Sequence, residues 1–168
     1  MTALMTTKRR KAREEALQLL YAHELSRNSI ETILKETLII KTNGDSFDKF
    51  TGDLIKKATE TANESSSLIE KLSHNWDIER IAIIDRLILR MAITEFLYFP
   101  EIPPKVTINE ALEIARKYST TESVSFINGI LDAILGELTT SHRINKEGRG
   151  LVSGSSRSRK EAGTTAEE

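Results

Sequence analysis

A cluster of arginines near the start of the chain is the most distinctive chemical feature of this sequence. Arg9 and Arg13 are four residues apart, with Arg10 between them in angle, so a helix would place all three on one stripe. Cations at a helix N-terminus oppose the positive end of the helix dipole. A phosphate backbone would offset this cost, because guanidinium groups and free helix amides both bind anions. We therefore predict a nucleic-acid site at these arginines, with Lys8 at its edge.

The charge distribution predicts where a polyanion would bind. The 168 residues carry a net charge of −1, but residues 1–13 carry five basic side chains and no acid, and residues 139–168 carry a net +2. The remaining body therefore has a net charge of −8 and would repel nucleic acid outside a restricted basic site. Two other interpretations are a solvated basic end balanced by Glu14 and Glu15, and an organelle transit peptide. The second is disfavoured because the basic run continues into a core-forming helix.

No pattern of catalytic residues is visible in the sequence. The chain has no cysteine, which excludes disulfides and thiolate chemistry and fits a reducing cytoplasm. His23, His74 and His142 are isolated, without the HExxH spacing of a zinc enzyme. The only GxG, at 148–150, follows no predicted strand. We predict a protein that is not an enzyme and needs no metal or cofactor.

Helical periodicity covers most of the chain, and strand-like alternation is almost absent. We predict an all-α fold, a compact bundle of six or seven helices in two small fused subdomains spanning 1–138, followed by a disordered tail at 139–168. No segment has the length and apolarity of a membrane span, which predicts a soluble, cytoplasmic protein. The predicted helices cover about 6–26, 28–42, 45–72 with a possible break at 63–67, 78–99, 107–118 and 122–138. Their predicted starts include capping boxes at Asn28 with Glu31 and at Thr107 with Glu110.

Four ordered sequence blocks resemble the NusB transcription antitermination family. They are KRRKAREEALQLLYAHELSRN at 8–28, LILRMAITEF at 87–96, IPPKVTINEALEIARKY at 102–118 and SFINGILDAI at 125–134. The resemblance implies two small helical bundles that share a long interface. It also implies binding to the single-stranded boxA element of ribosomal RNA leaders, together with the small-subunit ribosomal protein NusE, in an antitermination complex on RNA polymerase.

The resemblance implies a second RNA-binding patch at the start of the last helix. Its residues are Glu122, Ser125, Phe126 and Asn128, where an aromatic ring could stack on a base and an amide could read a base edge. Ordinary core packing is the alternative for Phe126. For Asn128 the alternative is a structural role beside Gly129, since a glycine within a helix permits close packing.

The resemblance also implies a surface for NusE at Tyr21, Leu25 and Asp85. Tyr21 and Leu25 lie one turn apart and would form an exposed apolar pair, of the kind that anchors interfaces. Asp85 would offer an acid to a basic ribosomal protein, although from the residues alone a local pair with Arg86, or exposure to solvent beside Leu89, is the better explanation.

Two other functions remain open at this point. One is a stand-alone RNA-binding domain related to the RNA-targeting domain of ribosomal RNA cytosine methyltransferases. That domain resembles NusB, but 168 residues leave no room for the methyl-donor domain of the whole enzyme. A helical DNA-binding regulator would need an exposed recognition helix, and none is visible. Some family members dimerise through the RNA-binding region, so a homodimer is also possible. Replacing Arg9, Arg10 and Arg13 by alanine is expected to weaken RNA binding and to leave thermal stability unchanged or slightly higher, because three cations leave the positive end of the helix.

Overall fold

The computed structural model of the protein describes residues 2–40, 48–73 and 80–147, and of residues 2–7 only the backbone. These ranges contain seven helices and no strand, which confirms the all-α prediction. The helices are α1 (Thr2–Ser26), α2 (Ile30–Ile40), α3 (Lys49–Glu60), α4 (Ala62–Leu72), α5 (Ile83–Tyr98), α6 (Pro104–Tyr118) and α7 (Thr121–Thr140). None of these helices is long and apolar enough to cross a membrane.

Helix α5 is the centre of the fold, as its apolar sequence predicts. It packs against α1, α3, α4, α6 and α7, and residues 87–89 and 91–96 are all buried. The apolar core is one continuous cluster that extends to both sides of α5. Any division into two bundles therefore shares this helix. The predicted start of the helix at residue 78 falls outside the described residues, which place its first residue at Ile83.

Several helix starts differ from the predicted ones by a few residues. Ser29 caps α2, because its hydroxyl oxygen accepts from the Thr32 amide at 3.2 Å, so the proposed cap at Asn28 is wrong by one residue. The break in the long third segment falls at Thr61, between α3 and α4, rather than at 63–67. At the last helix, Thr120 accepts from the Ser123 amide and caps α7.

The predicted capping box at Thr107 and Glu110 is wrong. Helix α6 begins three residues earlier, with Pro104 at its first position, where the missing amide costs nothing. Thr107 and Glu110 are buried one turn further into the helix. Both side chains bind polar groups on other helices, so their spacing reflects tertiary contacts rather than a helix start.

The chain after α7 returns to the end of α5. Although the sequence predicts a disordered tail from residue 139, α7 continues to Thr140 and residues 141–147 pack on the body of the protein. The Glu147 amide donates to the carbonyl of Pro100 at 2.9 Å. Lys146 is buried, and its ammonium donates to the carbonyls of Glu95 and Phe99 at 2.6 and 2.8 Å. The rest of the predicted tail, 148–168, lies outside the described residues.

Candidate nucleic-acid interface

Arg13, which the sequence places in the predicted nucleic-acid site, is buried and does not reach the surface. Only 3% of the residue is exposed, and its Nε and Nη2 atoms donate to the two carboxylate oxygens of Glu95 at 2.6 and 3.0 Å. Thr107 donates to the same carboxylate at 2.8 Å. The arginine stripe continues the core-facing side of α1. Glu95 on α5 and Glu110 on α6 lie opposite this side and pair with Arg13 and Arg10, so Arg13 is part of the core.

Arg10 is half-exposed and paired with α6. Its Nε and Nη2 atoms donate to Glu110 at 2.8 and 2.7 Å, and its Nη1 atom lies 3.6 Å from Glu113. The hydrogen bond with Glu110 raises the pKa of Arg10 above its ordinary value, and burial opposes this rise. The side chain is 37% exposed, so part of the guanidinium remains open to an anion while the pair holds.

Lys8, Arg9 and Lys11 form the open part of the basic end. Lys8 and Lys11 are exposed, and neither has an ion-pair partner among the described residues. The Arg9 side chain is 42% exposed, and its nearest acid is Glu101 at 4.0 Å. Its guanidinium carbon lies 5.0 Å from the centre of the Phe50 ring. These three cations are the ones that the fold leaves available. Lys11 is not among the predicted site residues, because it lies off the arginine stripe.

The second predicted patch lies at the start of α7. Glu122 and Ser125 are exposed, whereas Phe126 and Asn128 are half-buried. Phe126 packs partly against the core, so both interpretations of this residue keep some support.

Helix α6 connects this patch to the basic end of α1. It packs against α7, and it binds α1 through Glu110 at its middle, which pairs with Arg10, and through Lys117 at its end, which pairs with Glu14. Lys117, at the end of α6, pairs with Glu14 at 2.5 Å and lies 5.2 Å from the Tyr118 ring centre. Lys117 and Tyr118 are not among the predicted site residues, because nothing in their local pattern indicates that they reach α1.

Of the residues predicted to face a protein partner, Tyr21 and Leu25 are at the surface and Asp85 is not. Tyr21 is half-buried against the core, and Leu25 is 56% exposed. Asp85 is only 4% exposed. Its two carboxylate oxygens accept from the hydroxyls of Ser119 and Ser123 at 2.5 and 2.6 Å. Neither a surface acid nor a pair with Arg86 describes this geometry. Asp85 instead fixes the turn between α6 and α7, and thereby the start of α7.

Replacing Asp85 by alanine is expected to lower the free energy of unfolding by about 1–3 kcal/mol, because it leaves two half-buried hydroxyls without their acceptor. Urea denaturation of both proteins measures this difference. Asp132 is an exposed acid of α7, and its replacement by alanine is the matched control, with an expected change below about 0.5 kcal/mol. Equal losses in the two variants would contradict a structural role for Asp85.

The described residues contain no group of three or more histidine or acidic side chains that could hold a metal ion.

Fold and site together define an all-helical protein whose distinctive surface is a basic helix end on an acidic body. Residues 10–136 match the model of the NusB family, and the chain belongs to this family. The resemblance of the four sequence blocks is thereby confirmed. The family is one of transcription antitermination factors and not of enzymes.

Two curated relatives and two solved structures illustrate the similarity. The transcription antitermination protein NusB of Salinibacter ruber is 46% identical, over 86% of this chain and 91% of its own. That of Chloroherpeton thalassium is 40% identical, over 88% of this chain and 71% of its own. The structure of T. maritima NusB has a TM-score of 0.67 at 36% identity, covering 77% of this chain and 91% of that one. A structure of antitermination factors NusB and NusE in complex with dsRNA has a TM-score of 0.67 at 25% identity, covering 77% of this chain and 96% of that one.

Proposed function

We propose that this protein binds the single-stranded boxA element of ribosomal RNA leaders together with NusE, and couples that RNA to RNA polymerase. The observation that carries the proposal is the open cationic end of α1. Lys8, Arg9 and half of Arg10 are accessible there on a body that is otherwise acidic. A polyanion bound elsewhere would meet net negative charge. The solved relative that contains NusE and RNA supports the same partners for this chain.

In this proposal the RNA path runs from the end of α1 to the start of α7. Lys8, Arg9 and Arg10 bind phosphates, and the exposed Ser125 with the half-buried Phe126 and Asn128 contacts bases. Glu122 lies beside the bases and accepts from their amino groups. Arg13 takes no part as a contact, since its guanidinium is enclosed by Glu95. Its role is to hold α1 in position.

NusE binds on another part of the surface in this proposal. Leu25 is exposed and Tyr21 half-exposed at the C-terminal end of α1. An aromatic and an aliphatic side chain one turn apart offer an apolar centre for an interface. Asp85 contributes only by fixing the turn that precedes α7.

The proposal is tested by fluorescence anisotropy with a short boxA-type RNA, at several salt concentrations, with and without NusE. Three phosphates neutralised by Lys8, Arg9 and Arg10 give a log–log slope of roughly −2. The double variant Lys8→Ala, Arg9→Ala should bind about tenfold more weakly, with a slope less negative by about 1 to 1.5. Addition of NusE should strengthen RNA binding to the wild-type protein.

The matched control replaces Lys35 and Lys56, two exposed lysines of α2 and α3, by alanine. It removes the same charge and should leave the slope unchanged. Duplex RNA and duplex DNA of equal length are the competing ligands. Stronger binding to duplex DNA would indicate a DNA-binding regulator, and stronger binding to duplex RNA would contradict the single-strand specificity. A NusE-independent affinity would favour a stand-alone RNA-binding domain.

A further inference from the structure

A groove lies where α1 passes the N-terminal end of α3. It consists of two adjoining cavities of about 370 and 550 Å³, and both are lined by Lys8 and Asp48. The first cavity also contains Arg9, Phe50 and Phe99, and the second contains Thr51. Each volume falls in the range of small-ligand sites. The groove therefore has room for a planar group beside the basic end of α1.

The first cavity has a stacking surface. The rings of Phe50 and Phe99 meet edge to face, with 5.5 Å between their centres. Both phenylalanines are buried, and the Arg9 guanidinium lies over the Phe50 ring. The aromatic ring thereby supports a planar cation whose side chain is 42% exposed. Bases of single-stranded RNA stack on such guanidinium planes.

The groove also contains polar groups that the protein leaves unused. Asp48 precedes α3 at the N-cap position, but its exposed side chain makes no capping hydrogen bond. The Thr51 hydroxyl is fully buried, and it has no hydrogen-bond partner among the described residues. An acceptor and a hydroxyl without partners, beside a stacking plane, indicate a ligand with hydrogen-bonding edges.

The charges of the groove favour a base over a phosphate. Lys8, Arg9 and Lys49 line the first cavity, but so do the acids Asp48, Asp53 and Glu101. Their charges cancel, so this cavity does not attract a phosphate more than the rest of the basic end does. A base is neutral, and its edge carries donors that a carboxylate accepts. The lysines at the rim can hold the phosphates on either side of it.

We propose that the groove between α1 and α3 holds an unpaired RNA base, stacked on Arg9, whose exocyclic amino group donates to Asp48. Adenine, guanine and cytosine carry such a group and uracil does not. The inference rests on the proposed RNA-binding function and adds a base-specific subsite to it. It places one contact on α3, outside the RNA path from α1 to α7.

The test uses the full chain and three single-stranded 12-mers, of adenylate, cytidylate and uridylate, in fluorescence anisotropy. The wild-type protein should bind the first two about tenfold more tightly than the third, as expected for one hydrogen bond to a carboxylate. Asp48→Ala should remove this preference by weakening the adenylate and cytidylate complexes alone. If Asp48 contacts no base, removing its charge should instead strengthen all three complexes equally, and that result would overturn the proposal.

A second variant tests stacking apart from charge. Arg9→Lys keeps the positive charge and loses the planar surface, so it should weaken binding at least about fivefold with the salt slope unchanged. An unchanged affinity would contradict stacking on Arg9. Asp132→Ala, in an exposed acid of α7, is the control for loss of a carboxylate. Wild-type protein that binds none of the RNAs would refute the proposed function itself, whereas binding without base preference would refute only the subsite.

Discussion

Replacing Glu95 by alanine is expected to lower the free energy of unfolding by about 3–5 kcal/mol. The Arg13 guanidinium would lose both of its short hydrogen bonds in a site where it is 3% exposed. The nearest remaining acid is Glu110, whose carboxylate lies 3.8 Å from Arg13 and already accepts from Arg10. A buried charge without a partner is far more costly than a lost surface pair. Urea denaturation at neutral pH measures the loss.

Two further variants separate the cost of an unpaired charge from a general weakening of the core. Glu113→Ala removes an acid of the same network whose side chain is 43% exposed, and it should cost less than about 1 kcal/mol. The double variant Arg13→Met, Glu95→Met replaces both charges by apolar chains and should recover most of the loss. A double variant as unstable as Glu95→Ala would contradict this account.

This ion pair changes what substitutions in the arginine cluster measure. From the sequence, alanine at Arg9, Arg10 and Arg13 is expected to leave thermal stability unchanged or slightly higher. The structure leads to the opposite expectation for Arg13, because its removal takes away the ion-pair partner of the buried Glu95 carboxylate and leaves only the Thr107 hydroxyl donating to it. Loss of RNA binding in a variant that includes Arg13 would therefore mix unfolding with lost contact. Lys8 and Arg9 are the residues that report on binding alone.

Patterns that depend on neighbours in the chain predicted the fold well. The apolar run around Leu87 and Ile88 predicted the central helix, because a helix with apolar residues on all sides has to be buried. The predicted end of that helix near residue 99 is also close to the observed one at Tyr98, because Pro100 follows and proline cannot continue a helix. Both features depend only on residues that are close in sequence, so the local pattern predicts them.

The errors at the candidate site concern polar residues whose partners are distant in sequence. Arg13 and Glu95 are 82 residues apart, and Asp85 and Ser119 are 34 apart. Thr107 and Glu110 have the spacing of a capping box, and only the position of α5 and α1 reveals their other partners. A charged residue has the same local pattern whether it meets solvent or a buried counter-charge. The sequence therefore located the basic cluster correctly and could not show which of its members are exposed.

Lys146 is expected to make the stability of the protein depend on pH between about 8 and 10.5. Burial lowers the pKa of its ammonium from 10.5 to about 8, against the opposing effect of Glu95 and Glu101. The unfolded chain holds this proton up to about pH 10.5, whereas the folded protein releases it near pH 8. In this window the unfolded state binds more protons, so the free energy of unfolding rises with pH.

The measurement compares wild-type protein with Lys146→Met by urea denaturation at several pH values from 7 to 10. Other lysines and tyrosines titrate in both proteins, so their contributions cancel in the difference between the two free energies. This difference should move in favour of the wild type as the pH rises above 8. Lys105→Met, at an exposed lysine of α6, is the control and should show no such trend. A difference independent of pH would mean that the Lys146 ammonium keeps its proton in the folded protein. The neutral amine can still donate to the carbonyls of Glu95 and Phe99. Lys146 can therefore bind the end of α5 both as the ammonium and as the neutral amine.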